Sequence, residues 1–412
     1  MQAETPPLMT EKRREVEAAV LATYQKENPS VHFLTESAEA FHSRAAQREA
    51  LYRDNLKFPP EMFAGRRLLD LGAGTGENSV YYARWGAACT LVEVNETVIE
   101  RAQAVFARYA GEGAEHRFVR SSLFDYATPD RFDIVVCEGV IHHTADKAGA
   151  FTRVASFLRP GGYLILSVGN AAGCFQRALQ RVVLYRFAQS DEEIVAVAER
   201  LFREHIDRAA RHGQRSRRAV IFDSFVNPKV DFPSVSQVLG WFAANGLRLY
   251  STWPPVVPAL LGDSGMRSSF DPLALPAIGA AAEAVWLAHD SDDAAELAER
   301  IEGLADLAAA QEKMTSYVND FAPGQGFSEA ALGARLDAYR TALAGFDPFA
   351  GFAAKLQALL DEIQALSGLL QQGDLAAVET FLAGTGHLFR GTGGLGISRF
   401  IGYRPRDPAI EA

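Results

Sequence analysis

Three groups of residues stand at spacings that could do chemistry. The first is LLDLGAGTGENS, Leu68 to Ser79, in which Gly72, Gly74 and Gly76 follow a strand-like run and precede a helical one. Glycines there let the backbone turn tightly and approach a ligand, while the following helix start offers unpaired N–H groups and a positive dipole end. That arrangement suits a carboxylate or a phosphate. The second is Glu93, within the LVEVN that ends a strand-like run and 23 residues after Asp70, where a carboxylate can accept from two ribose hydroxyls. The third is the pair His142 and His143, just after FDIVVCEG, where an imidazole can take a proton from a nucleophile.

The elements that must position these groups follow from the patterning around them. RRLLDLG, ACTLVEVN, HRFVRSS, FDIVVCE and GYLILSVG read as five strands alternating with helical segments, a βαβ pattern that predicts a parallel sheet. Ahead of them, residues 9–57 carry helical spacing, with Val16, Val20, Leu21 and Tyr24, then Phe41, Leu51 and Tyr52, ending at Pro59-Pro60. Beyond Asn170 the chain reads as helical and Arg-rich through His212, and AVIFDSFVNPKVDFP, residues 219–233, reads as a loop. A capped helix stopped by Gly246 then leads into a sixth strand, Leu247 to Trp253. Residues 279–384, rich in Ala, Leu and Glu, predict three or four long amphipathic helices. The β-branched and aromatic run ISRFIGYRP, residues 397–405, predicts a seventh strand that returns to the first sheet. The resulting domain limits are a helical cap over 1–64, a core over 65–253 with an acceptor-side insertion at 171–232, a helical insertion or lid over 254–393, and a terminal strand within 394–412.

Composition bounds the function. At 412 residues, 48% hydrophobic and 22% charged, the chain is a folded globular protein rather than a disordered, collagen-like or disulfide-scaffold one. Its net charge of −10 argues against a broad electrostatic grip on nucleic acid or an anionic membrane. Cys89, Cys137 and Cys174 show no CxxC spacing, so neither a zinc site nor a disulfide framework is expected, and a reducing cytoplasm fits. No basic-then-apolar leader opens the chain, and its most apolar later stretch, Pro272 to Ala288, is broken by Pro276 and Glu283, so neither export nor membrane spanning is expected.

In combination, DLGAGTG, Glu93, FDIVVCEGVIHH and LRPGGYLILS resemble the class I S-adenosylmethionine-dependent methyltransferases, from about Gly65 to Asn170 and more weakly to Trp253. The resemblance implies an α/β fold: a Rossmann-like sheet of seven strands, the last antiparallel, here with an N-terminal helical cap and a large helical insertion. It implies S-adenosyl-L-methionine as cofactor, with Asp70 supporting the loop, the loop of Gly72, Ala73, Gly74 and Gly76 facing the methionine part, and Glu93 on the ribose. Nicotinamide dehydrogenases usually show GxGxxG, whereas the third glycine here comes one residue sooner. Where the family often has an acidic residue after strand three, this chain reads FVRSSLFDY, so Ser122, or Asp125 if the loop is shifted, is the candidate acceptor for the adenine amine. Val94 and Leu123 are expected against the adenine, and Glu138 is expected to shape the cofactor or substrate pocket.

Methyl transfer is a direct displacement, so alignment and, for a protonated nucleophile, a base are what the site must supply. His142 and His143 are the candidate bases, although an amine nucleophile can lose its proton to water. Asp223 and Asn227 are candidate acceptor-binding residues, and Arg53 or Tyr52, with Arg44 as a further candidate, could reach the methionine carboxylate. The cluster Arg203, Arg208, Arg211, Arg215, Arg217 and Arg218 could bind an acidic acceptor, or simply be a solvated basic helix face. Metal assistance is not expected, because no spaced Asp/His ligand set accompanies the site. The leading reading is transfer to an N or O atom of a small or medium-sized metabolite, with a dimer contact through the helical insertion as a further expectation. The alternatives are a protein or RNA methyltransferase using that insertion, a non-catalytic binding module, or transfer of the cofactor's aminopropyl arm. The site reads CEGVIHH, without the Asn-Pro-Pro-aromatic signature that suits planar amide or base nitrogens.

Overall fold

The computed structural model describes residues 10–27, 37–111, 113–213, 215–256, 293–344, 352–390 and 396–406. The stretch Pro272 to Ala288, the first nine residues and most of the Gly-rich run before the last strand lie outside the described residues.

Seven strands form one sheet in the order β3-β2-β1-β4-β5-β7-β6. They are β1 (Arg67–Leu71), β2 (Ala88–Glu93), β3 (Arg117–Arg120), β4 (Phe132–Glu138), β5 (Leu158–Gly169), β6 (Arg248–Trp253) and β7 (Ile397–Tyr403). The first five are parallel, and β7 runs antiparallel between β5 and β6, so the last strand rejoins the sheet as its sequence character predicts. Central β1 is buried along Leu68–Leu71, and β4 is continuously buried from Ile134 to Cys137, the pattern of strands covered on both faces. The strand order reverses between β1 and β4, which opens a crevice at their carboxyl ends.

One face of the sheet is covered by α2 (Ala38–Ala50), α3 (Ser79–Arg84) and α4 (Glu96–Tyr109), around Phe41, Tyr52, Phe63, Tyr82 and Phe106. Helix α4 buries Val98, Ile99, Ala102, Val105, Phe106 and Tyr109, a single helical stripe. The other face is covered by α5 (Lys147–Ser156) and α10 (Val235–Ala244), through Phe151, Val154 and Phe242. Helix α10 starts with a reciprocal Ser234–Gln237 capping box, and Gly246 past its end sits at φ +66°, the left-handed conformation that a stop before β6 requires.

A second layer lies beyond the carboxyl edge. Helices α6 (Phe175–Phe187), α7 (Asp191–Leu201), α8 (Arg203–Gly213) and α9 (Arg217–Ile221) share one hydrophobic core with four later helices, Asp293–Asn319, Glu329–Ala344, Phe352–Gln372 and Leu375–Gly384. The loop expected over 219–233 is helical as far as Val226, because α9 continues into a wider turn at Phe222–Val226 whose Phe222 and Phe225 are buried in the core. Among the described residues, no helix is long and apolar enough to cross a membrane.

Candidate active site

The crevice at the carboxyl ends of β1, β2 and β4 holds a cavity of about 850 Å³. Its floor is the glycine loop. Gly72 follows β1 at φ +78°, and a side chain there would run into Val140, so this close approach of two strand ends needs glycine. Gly72, Ala73, Gly74, Thr75, Glu77 and Asn78 line the cavity. Gly76 does not: at φ +70°, a Cβ would lie 3.1 Å from Ala102 and 3.2 Å from Phe106, so this glycine serves the packing of the loop on α4.

Asp70 is also turned away from the cavity: it supports the loop from behind and is not itself one of the cofactor-facing residues. It is buried and accepts from the Ser79 hydroxyl, tying the end of β1 to the start of α3 across the loop. Burial pushes its carboxyl up to about 7 against the opposing Ser79 hydrogen bond. Glu93 does line the cavity. Its Oε2 accepts from Gly74 N–H at 2.9 Å and its Oε1 from Asn95 N–H at 2.9 Å, which fixes the carboxylate while each oxygen keeps a lone pair for a ligand hydroxyl. Burial holds its carboxyl above the usual range even against these backbone donors.

An apolar slot beside Glu93 is formed by Val92, Val94, Val98, Leu123 and Phe124, with Ser121 at its edge. Ser122 is not in the lining. Its hydroxyl donates to Glu17 at 2.5 Å and accepts from Phe124 N–H at 3.1 Å, so it fastens helix α1 (Glu11–Lys26) to the sheet. Asp125 points to solvent. Helix α1 roofs the cavity with Arg13, Glu17, Val20, Leu21 and Tyr24.

The wall nearest the helical cap is a buried ion pair. Glu138, at the end of β4, accepts from Arg48 of α2 at 2.5 Å and from Tyr82 at 2.9 Å. Burial pushes the Glu138 carboxyl up, but Arg48 and Arg399 outweigh that and hold it below its usual value. Arg48 and Arg44 line the cavity, whereas the expected Arg53 and Tyr52 do not. Tyr52 is fully buried against Phe63, Tyr82 and Trp85, and Arg53 faces outward to Glu49 and Glu61. Arg48 and Tyr52, one turn apart, share a face of the helix: the Arg48 guanidinium lies 5.3 Å from the Tyr52 ring centre, and of the two it is Arg48 that meets the cavity.

The opposite wall holds the histidines, on a single turn at Ile141–His143. His142 lines the cavity; its Nδ1 is buried with no hydrogen-bond partner among the described residues, and burial holds the ring neutral, well below its usual value. His143 Nδ1 lies 2.8 Å from the Lys229 carbonyl and Nε2 3.2 Å from the Tyr24 hydroxyl. Burial depresses this histidine too, with Asp223 opposing. Asp223 lines the cavity and pairs with Arg215 at 3.1 Å. Asn227 does not reach it: fully buried, it donates to the Tyr24 hydroxyl at 3.0 Å and accepts from Lys229 N–H, buttressing the histidine wall from behind. Arg399 from β7 and Arg177 from α6 complete the lining. Tyr24, Arg48, Arg177 and Arg399 are absent from the sequence-derived site, because each sits in an ordinary helical or strand pattern with no local mark of the cavity it faces.

The model of the methyltransferase domain family matches residues 44–252, 209 of the 412, and the chain belongs to that family. The family and the fold place the chain among the class I S-adenosylmethionine-dependent methyltransferases. The ubiquinone biosynthesis O-methyltransferase of Aeromonas salmonicida is 31% identical over 108 residues, 26% of this chain and 44% of that protein. The protein of the same name from Alkalilimnicola ehrlichii is 33% identical over 106 residues, 26% of this chain and 42% of its own length. The chain thus spans less than half the length of these relatives. Among solved structures, magnesium protoporphyrin IX methyltransferase from Synechocystis with bound cofactor is similar at 14% identity and a TM-score of 0.33, covering 59% of this chain and 90% of that one. The 1,6-didemethyltoxoflavin N1-methyltransferase of Burkholderia thailandensis is similar at 22% identity and a TM-score of 0.29, covering 40% of this chain and 66% of that one.

The residues present fit S-adenosyl-L-methionine. A fixed carboxylate for vicinal hydroxyls, an apolar slot beside it and a glycine loop with a close backbone face the same cavity. Glu93 would hold the ribose, Val94 and Leu123 the adenine, and Gly72, Ala73 and Gly74 would approach the amino-acid end.

Proposed function

We propose that the chain methylates an N or O atom of a small or medium-sized metabolite bound in the half of the cavity between the glycine loop and the histidine turn. The observation that carries this reading is continuity: one cavity runs from Glu93 and the glycine loop to Tyr24, His143 and Asp223, roofed by α1. Its volume lies near the upper end of the roughly 300–1,000 Å³ of small-molecule sites, and so suits a cofactor with an acceptor rather than an open groove for a macromolecule. The names of the curated relatives, which specify O-methylation, favour oxygen among the two candidate atoms.

Bound there, S-adenosyl-L-methionine supplies an electrophilic methyl group on its sulfonium. The chain's own contribution is alignment, exclusion of water by α1, and removal of a proton. Of the two candidate bases, His143 has the geometry for it. Its Nδ1 donates to the Lys229 carbonyl, so Nε2 is the accepting nitrogen and faces the Tyr24 hydroxyl. As an acceptor O–H or N–H gives its proton to the Tyr24 oxygen, the Tyr24 proton passes to His143 Nε2, and nearby Asp223 balances the imidazolium formed. His142, neutral and with a free Nδ1, shapes the pocket wall.

The test is incubation of the purified chain with whole-cell lysate and isotopically labelled methyl donor, followed by separation of small molecules from protein and RNA. Label in one or a few low-molecular-weight products supports the reading, and label confined to protein or RNA overturns it.

A further inference from the structure

A second cavity of about 290 Å³ lies in the helical layer, between α6, α8 and the helices Asp293–Asn319 and Phe352–Gln372. Arg177 lines both this cavity and the larger one, and the sequence neighbours Arg208 and Ala209, and Gly396 and Ile397, divide between the two. The cavities therefore adjoin at Arg177.

The lining has an unusual charge balance for a protein with a net charge of −10. It contains two guanidiniums, Arg177 and Arg208, and no Asp or Glu among the described residues. Arg215, Arg217 and Arg218, from the same Arg-rich stretch as Arg208, are paired with Asp223, with Glu199 and Asp207, and with Glu192. Arg177 and Arg208 make no hydrogen bond or ion pair with the described residues; Arg177 has only the Phe232 ring, 6.0 Å from its guanidinium. A third unpaired group lines the same cavity: Gln180 is 2% exposed, and its Oε1 has no hydrogen-bond partner among the described residues. A buried polar atom left unpaired costs roughly 1–3 kcal/mol, a penalty that a ligand donor would remove. The remaining wall is apolar, with Phe175, Met314, Leu360 and Ile363. His205, held neutral by burial, adds a neutral polar edge.

We infer that this second cavity holds the body of the methyl acceptor, and that the acceptor is an organic anion. Arg177 and Arg208 take its carboxylate or phosphate, Gln180 accepts from a donor on it, and its apolar part lies against Met314, Leu360 and Ile363. The nucleophilic end reaches past Arg177 into the larger cavity. Guanidiniums suit both anions, as planar forks that bind two oxygens. The inference rests on the small-acceptor reading above.

The test is calorimetric titration of the full chain, saturated with S-adenosylhomocysteine, with octanoate, octyl phosphate and uncharged octanamide. At least one anion is expected to bind ten-fold or more tightly than octanamide, and which of them leads tells carboxylate from phosphate. Arg177→Gln and Arg208→Gln are each expected to remove most of that preference, and Arg177→Lys to retain part of it. Ile363→Trp, which fills the cavity, is expected to weaken all three ligands. An unchanged circular dichroism spectrum and a cooperative thermal unfolding transition show that each variant is folded. Equal binding of anions and octanamide, no binding of either anion, or a preference that survives both Gln substitutions would overturn the inference. The two readings fail separately. Label confined to macromolecules removes the small-acceptor reading, whereas labelled small products without an anion preference remove only this one.

Discussion

The Tyr24 hydroxyl lies 3.2 Å from His143 Nε2, linking the roof helix α1 to the turn after β4 across 119 residues of sequence. Asn227 donates to the same hydroxyl, so the Tyr24 oxygen accepts from one side and donates to the imidazole on the other. The three residues act as one unit, and their effects are not additive. Tyr24→Phe is expected to lower kcat by roughly 10²- to 10⁴-fold, the usual worth of a positioned proton acceptor. His143→Gln should do the same, with the double variant no worse than either alone. S-adenosylhomocysteine affinity, measured by calorimetry, should be unchanged throughout. Full turnover in Tyr24→Phe would remove the relay.

The pH profile follows from the same pair. Burial lowers the His143 value below the ordinary histidine value near 6.5, so the ring is neutral and able to accept at pH 7. A base with a depressed value is lost only when acid protonates it. We therefore expect kcat/KM to be level from about pH 7 upward and to fall only below the ordinary histidine range. An acid limb centred above pH 7 would contradict the assignment.

Glu93 carries the donor side. Both of its oxygens are fixed by backbone N–H groups, of Gly74 and Asn95, before any ligand arrives. Glu93→Ala removes the hydroxyl-binding group and also frees the Gly74 amide. Hydrogen bonds to a charged group are worth roughly 1.5–3 kcal/mol, so S-adenosylhomocysteine affinity should fall at least ten-fold by calorimetry. Affinity within two-fold of wild type would mean that Glu93 does not hold the cofactor.

Much of this site was legible in the sequence where local backbone demands wrote it. The glycine loop and Glu93 sit at strand ends whose burial pattern and turn chemistry fix them, and ISRFIGYRP announced a strand by its β-branched and aromatic content. The motif could not tell a residue that faces the cavity from one that supports it: Asp70 and Gly76 belong to the same string as Gly72 and Gly74, yet they face Ser79 and α4. Tyr52 shares a helix face with Arg48 yet is buried beneath it, and Arg53 turns to Glu49 and Glu61, a distinction of depth and partner that helical spacing does not reveal. The position of β7 between β5 and β6, which carries Arg399 into the cavity, depends on long-range pairing that no local pattern encodes.

Asp70 yields a stability prediction. Its carboxyl is pushed from an ordinary 3.8 up to about 7 by burial, so between those values the folded chain holds a proton that the unfolded chain has released. Stability from this group is complete below the unfolded value and is lost as pH rises through about 7. The loss is on the order of 4 kcal/mol. Asp70→Asn, which mimics the protonated acid and can keep the Ser79 hydrogen bond, should be flatter than wild type between pH 4 and pH 7 in urea unfolding. Parallel curves would show that Asp70 is ionised in the fold.

The Arg48–Glu138 pair tests how the cap is held on the sheet. Both side chains are about nine-tenths buried, and Tyr82 donates to the same carboxylate, so removing one partner strands a charge in the interior. Such a loss costs roughly 3–5 kcal/mol, whereas replacing both partners by apolar groups can be close to neutral. Arg48→Met and Glu138→Gln should therefore each destabilise the chain strongly in urea, and the Arg48→Met, Glu138→Leu double variant should recover most of the loss. The Glu138 carboxyl is held below its usual value, so its share of stability is present above the unfolded value and disappears as pH falls through the folded one. Glu138→Gln should thus lose its difference from wild type in acid. Single variants as stable as wild type at pH 7 would show that the pair does not fasten α2 to β4.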